Sequence, residues 1–152
     1  MRPKLKLYLD TSVISALFDE RNPERKSLTE SFFAEISKFD IYVSTFTLAE
    51  IEKTPDPVVK KKMIGKVSKI QVLNITSDIE EIADEIILSG AINQSYLEDA
   101  FRIATAIMNE MDYLLSWNFR HIVRKKTKDI IRMITTINNL RQIEIVTPAE
   151  LL

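Results

Sequence analysis

The chain has 152 residues, 45% hydrophobic and 28% charged, with a formal net charge of −1, which suits a single globular domain expected to span residues 1–152. Only 2 glycines and no cysteine exclude glycine-rich phosphate loops, disulfide frameworks and thiolate metal sites. No apolar run approaches the roughly 18 residues of a membrane span, and the balanced charge gives no global pull toward nucleic acid or membrane. The basic start, Met1-Arg2-Pro3-Lys4, precedes an apolar run that stops at Asp10, so it does not read as a signal peptide and a cytoplasmic protein is expected.

The first element is a short strand ending in an acid, with Leu5, Leu7 and Leu9 alternating onto one face before Asp10. A helix over 12–18 follows, with Thr11 or Ser12 as its cap. After the polar break at 19–23, Leu28, Phe32, Ile36 and Phe39 recur at helical spacing. The β-branched run 41–45 predicts a second strand, with a short helix over 46–53. Asp56 is placed to cap a helix opened by Pro57. That helix turns Val59, Met63, Val67 and Ile70 inward and Lys60, Lys61, Lys62 and Lys66 outward.

Residues 71–76 predict a third strand, and Ser77 with Glu80 forms a capping-box signature. Behind it Ile79, Ile82, Ala83 and Ile86 share a helical face that ends near Gly90. The cleanest helical period covers 96–111, through Leu97, Ala100, Ala104, Ile107 and Met111. Residues 113–117 predict a fourth strand. A basic stretch over 118–128 leads into a helix carrying Ile130, Ile134 and Ile137. Residues 143–146 predict a fifth strand, and Thr147-Pro148 a last short helical turn. Strands alternating with helices predict a parallel sheet covered on both faces.

In such a sheet ligands bind beyond the carboxyl ends of the strands. Asp10 ends the first strand, Glu50 lies in the helix after the second, Asp99 opens the helix before the fourth beside Glu98, and Asn118 follows the fourth. Acids gathered on one rim repel. A hard cation such as Mg²⁺ or Mn²⁺, which prefers oxygen ligands, resolves that repulsion. The chemistry associated with such a site is attack of an activated water on a phosphodiester.

Residues 7–15 (LYLDTSVIS), 47–53 (TLAEIEK), 97–107 (LEDAFRIATAI) and 112–122 (DYLLSWNFRHI) together resemble the PIN domain. They are most similar to the VapC-like toxin ribonucleases of type II toxin–antitoxin pairs. The resemblance implies a three-layer α/β/α fold with a five-stranded parallel sheet, and a Mg²⁺- or Mn²⁺-dependent endoribonuclease. Asp10, Glu50 and Asp99 match the family's three acids, Asp99 through the spacing to Ala104 and Ala106 of an Asp-(x)4-Ala-x-Ala pattern. They are the expected catalytic and metal-binding residues. Asn118 stands where many members carry a fourth acid. It offers a carbonyl oxygen without charge, as a weaker ligand or a water-orienting group. Arg102 sits where relatives often have His. The resemblance also implies a homodimer and a small antitoxin lying across the acidic site, where a basic side chain facing carboxylates is physically sensible.

Thr11, Ser12, Arg120, Arg124 and Lys125 are the expected RNA contacts, because cations beside the fourth strand's end can guide a phosphate backbone toward the acids. Each residue also has a structural alternative. Asp10 can cap the turn behind it. Thr47-Leu48-Ala49-Glu50 is itself a capping box. Glu98 and Asp99 complement a helix dipole, and Asp99 can pair with Arg102 one turn on. Asn118 suits a turn, the basic stretch suits a solvated helix start, and Trp117 suits packing. The single histidine, His121, cannot anchor zinc alone, and a Ser–His–Asp triad has no Gly-x-Ser-x-Gly elbow to support it. A phosphatase with Asp10 as nucleophile lacks its second acid, because Ser12 stands in its place. The alternative function is a catalytically weak or inactive RNA- or protein-binding module, motivated by Asn118.

Overall fold

The computed structural model describes residues 3–152, so Met1 and Arg2 of the basic N-terminal stretch lie outside the described residues. Five strands, β1 (Lys6–Leu9), β2 (Asp40–Ser44), β3 (Gln71–Leu73), β4 (Tyr113–Leu115) and β5 (Glu144–Val146), form one sheet in the order β3-β2-β1-β4-β5. Every neighbouring pair is parallel. The helices are α1 (Thr11–Ala16), α2 (Pro23–Ala34), α3 (Thr45–Glu52), α4 (Pro57–Val67), α5 (Ser77–Leu88), α6 (Leu97–Met108) and α7 (Lys125–Ile137). They cover both faces, giving the three-layer arrangement that the alternation of elements predicts.

The central strand explains the layering. Leu7 and Leu9 pack with residues of α1, α2 and α4 on one face. Tyr8 packs with residues of α5, α6 and α7 on the other. A strand buried on both sides carries apolar side chains at every position. Leu5, expected on the buried face, precedes β1 and is exposed.

The edges of the elements differ from expectation where a neighbour runs out. β3 stops at Leu73 instead of reaching 76, because its partner β2 ends at the paired Ser44. β4 stops at Leu115 because β1 ends at the paired Leu9. α6 ends at Met108, and Glu110 then adopts a positive φ of 54° that turns the chain toward β4. Asp56 caps α4 as expected, accepting from the backbone N–H groups of Val58 and Val59. The Ser77–Glu80 capping box does not form, since Thr76 occupies the N-cap and Ser77 already lies inside α5. Thr147 and Glu150 instead form one at the closing 3-10 turn, Pro148–Leu151. Trp117 packs in the core, and its indole N–H donates to Thr29 Oγ1 at 3.0 Å.

Candidate active site

β1 and β4 lie side by side, and their carboxyl ends bring Asp10 against Ser116. Asp10 is the N-cap residue of α1, yet its side chain makes no capping bond. It is 3% exposed, and a buried carboxylate needs partners. Oδ2 accepts from Ser12 Oγ at 2.6 Å and from Ser116 Oγ at 2.8 Å. Ser12 Oγ in turn accepts from the Trp117 N–H. Ser12 therefore sits beside Asp10 and ties α1 to the end of β4. Thr11 Oγ1 is buried without a hydrogen-bond partner.

Oδ1 of Asp10 faces Arg102, whose Nε lies 3.2 Å away. Arg102 projects from α6 one turn beyond Asp99 and is 5% exposed. Its guanidinium is the common point of the acids. Nη1 donates to Asp99 Oδ1 at 2.5 Å, Nη2 contacts Glu50, and Glu98 stands 3.8 Å from Nη2. The structure thus brings Asp10, Glu50 and Asp99 together around an arginine, where the sequence led us to expect a metal ion. The Asp99–Arg102 pair was foreseen as a structural alternative; the gathering of Asp10 and Glu50 onto the same guanidinium was not. One signal for it existed, since Arg102 follows Glu98 and Asp99 at spacings that place all three on one helical face.

The capping-box alternative for Glu50 does not hold. Ser44 is the N-cap of α3, Thr47 lies inside the helix with an unpartnered hydroxyl, and Glu50 turns to Arg102. Asn118 follows β4 and accepts from the N–H groups of Arg120 and His121, closing the turn. Burial, and then the charges of Asp10 and Glu98, push the Asp99 carboxyl up to about 6. The Asn118 amide and the short Arg102 contact favour the ionised form instead.

The expected RNA contacts are placed less uniformly. Arg120 is exposed. Arg124 donates from Nε to Thr127 Oγ1 at 2.9 Å and from Nη2 to the Ala91 carbonyl, so it ties the α7 entry to the end of α5. Lys125 pairs with Asp129 at 2.5 Å along the exposed side of α7. His121 stacks on Tyr96, with ring centroids 4.0 Å apart. Burial and the neighbouring Arg124 and Arg120 hold its pKa below the usual value.

The donors suit a hard cation in kind: three carboxylates from three different elements meet around one centre. Arg102 holds that centre. Among the described residues no three His, Cys, Asp or Glu side chains are drawn in tightly enough to hold a metal ion by themselves.

The PIN domain family model matches residues 7–124. This chain belongs to the PIN domain family. The match runs from β1 past Asn118 and so spans Asp10, Glu50 and Asp99. Among curated proteins, none matches the sequence. Solved structures share the fold. One is a toxin–antitoxin complex from Klebsiella pneumoniae, 18% identical, covering 76% of this chain and 88% of its own, with a TM-score of 0.57. A second is VapC20 of Mycobacterium tuberculosis, titled a Sarcin-Ricin loop cleaving toxin. It is 19% identical, covers 76% and 92%, and has a TM-score of 0.59. A third is VapBC2 of Rickettsia felis bound to a fragment of promoter DNA, 17% identical, covering 75% and 89%, with a TM-score of 0.54. At these identities the PIN domain shares an architecture with them. No helix among its described residues is long and apolar enough to cross a membrane.

Proposed function

We propose that this PIN domain is a divalent-metal-dependent endoribonuclease, the toxin of a toxin–antitoxin pair. The observation that carries the reading is the convergence of Asp10, Glu50 and Asp99 on one buried centre at the carboxyl ends of the central strands. The titles of the similar structures, which name toxins and their complexes, support it.

Asp10, Glu50 and Asp99 would hold Mg²⁺ or Mn²⁺. When bound, the ion lowers the pKa of a water and stabilises charge on the scissile phosphate. The remaining work falls to the chain's own side chains. Ser12 and Ser116 fix Oδ2 of Asp10 and so aim Oδ1 at the centre. Asn118, held in its turn, orients a water or the phosphate beside Asp99. Arg120, at the exposed rim, contacts the RNA backbone, and Lys125 extends that positive rim along the α7 entry. A homodimer, a small antitoxin and a cytoplasmic location belong to the same proposal.

The test is cleavage of RNA with and without EDTA. The expected outcome is activity in Mg²⁺ or Mn²⁺, none in EDTA, and loss of at least about two orders of magnitude in Asp10→Ala. Activity that persists in EDTA or in Asp10→Ala would sink the reading.

Arg102 favours a second reading, a PIN domain that binds RNA or protein without cutting, because a guanidinium already occupies the centre that the acids share. RNA binding without cleavage in either metal would favour it.

A further inference from the structure

Resting on the cation site proposed above, we infer that Arg102 is the resident cation of that site and that a divalent ion enters only by displacing it. The guanidinium and an ion would compete for the same oxygens. Asp10 has committed Oδ2 to two hydroxyls, and its remaining Oδ1 is the atom facing Arg102 Nε. Asp99 offers Oδ1 to Nη1, and Glu50 meets Nη2. Each of the three inner acids thus has an oxygen engaged by the arginine, which an ion at the same centre must take over.

Charge favours the exchange. Asp10, Glu50, Glu98 and Asp99 face a single positive side chain, so the centre keeps an excess of negative charge that a doubly charged ion satisfies better. Arginine does not lose its proton at any working pH, so it vacates the centre by moving rather than by neutralising. Its hold is incomplete. Arg102 Nε, 3.2 Å from Asp10 Oδ1, makes no aligned hydrogen bond, and contacts lacking that alignment are the weaker ones. The way out is also built. Glu98 lies one turn back on α6 with its side chain 58% exposed and is already 3.8 Å from Nη2. A withdrawn guanidinium therefore keeps a carboxylate partner at the rim while the three inner acids are freed.

The alternative is a permanent bridge, in which Arg102 stays between the acids and any ion binds elsewhere. The two differ in what removal of Arg102 does to metal affinity. Mn²⁺ binding to the full chain is measured by calorimetry and by the electron paramagnetic resonance of free Mn²⁺, for the natural protein and for Arg102→Ala and Arg102→Gln. Glutamine retains bulk and hydrogen bonding if alanine leaves the acids too repulsive to fold. The variants are expected to melt lower than the natural protein without metal, to recover on adding Mn²⁺, and to bind it about tenfold tighter or more. The natural protein supplies an independent readout. The Arg102 Nε–H resonance is expected to move in step with Mg²⁺ saturation. Equal Mn²⁺ affinity in all three proteins, or Mg²⁺ saturation with that resonance unmoved, overturns the displacement and leaves the metal reading standing. Absence of Mn²⁺ binding in all three overturns both.

Discussion

Tyr8 shows how a single side chain in the central strand sets the chemistry of its surroundings. It is fully buried, and its phenol shares a 2.7 Å hydrogen bond with Ser44 Oγ. Burial pushes its pKa from the ordinary 10.0 up to about 12. The unfolded chain therefore loses the proton first. The stability carried by the neutral phenol is complete below pH 10 and is lost as pH rises through 12. Tyr8→Phe is expected to lower stability by about 1 kcal/mol at neutral pH, through the lost hydrogen bond. It should also flatten the alkaline decline between those two values. Denaturant midpoints across that range, for both proteins, check the prediction. Asp10 follows the same logic by another route. A buried acid is tolerated because two serines and an arginine meet it.

At the scale of elements, α4 and α6 begin in different ways. α4 begins with a local solution, Asp56 bonding the N–H groups of Val58 and Val59 ahead of Pro57. Asp56→Ala is expected to cost about 1 kcal/mol, read as a shift in urea midpoint with an unchanged slope. α6 begins with acids that are not capping. Asp99 and Glu98 occupy its first turn, and Arg102 one turn later gathers them with Asp10 and Glu50. Local rules explain the first helix fully. The second needs residues from β1 and α3, which no window of sequence around α6 contains.

For the whole molecule, the parallel order β3-β2-β1-β4-β5 puts the ends of β1 and β4 at the middle of one edge. The acids therefore share that edge with the exposed Arg120 of the β4–α7 connection. If RNA lies across this edge, Arg120→Ala is expected to weaken binding and to reduce the slope of log affinity against log salt by about 1, independent of RNA sequence. Fluorescence anisotropy of a labelled RNA between low and physiological salt measures it. An unchanged slope would remove Arg120 from the RNA path. Arg124, tied to Ala91 and Thr127, is expected to act on stability more than on RNA affinity.

Sequence alone determined the alternation of strands and helices, the parallel sheet with both faces covered, the positions of Asp10, Asp99 and Asn118 near element boundaries, and that of Glu50 in the helix after the second strand. These follow from hydrophobic period and local breaks, which are written in consecutive residues. Strand ends at 73 and 115 were decided by where the neighbouring strands stop. Two local capping boxes, at Ser77 and at Thr47, fail because both residues lie inside helices whose N-caps are Thr76 and Ser44. Above all, tertiary structure decided what meets Asp10. Local spacing pairs Arg102 with Asp99 alone; the fold brings it to Asp10 as well, because side chains distant in the chain meet only when α6 packs against the central strand. Coulomb attraction among buried groups depends on distances that spacing along the chain does not specify.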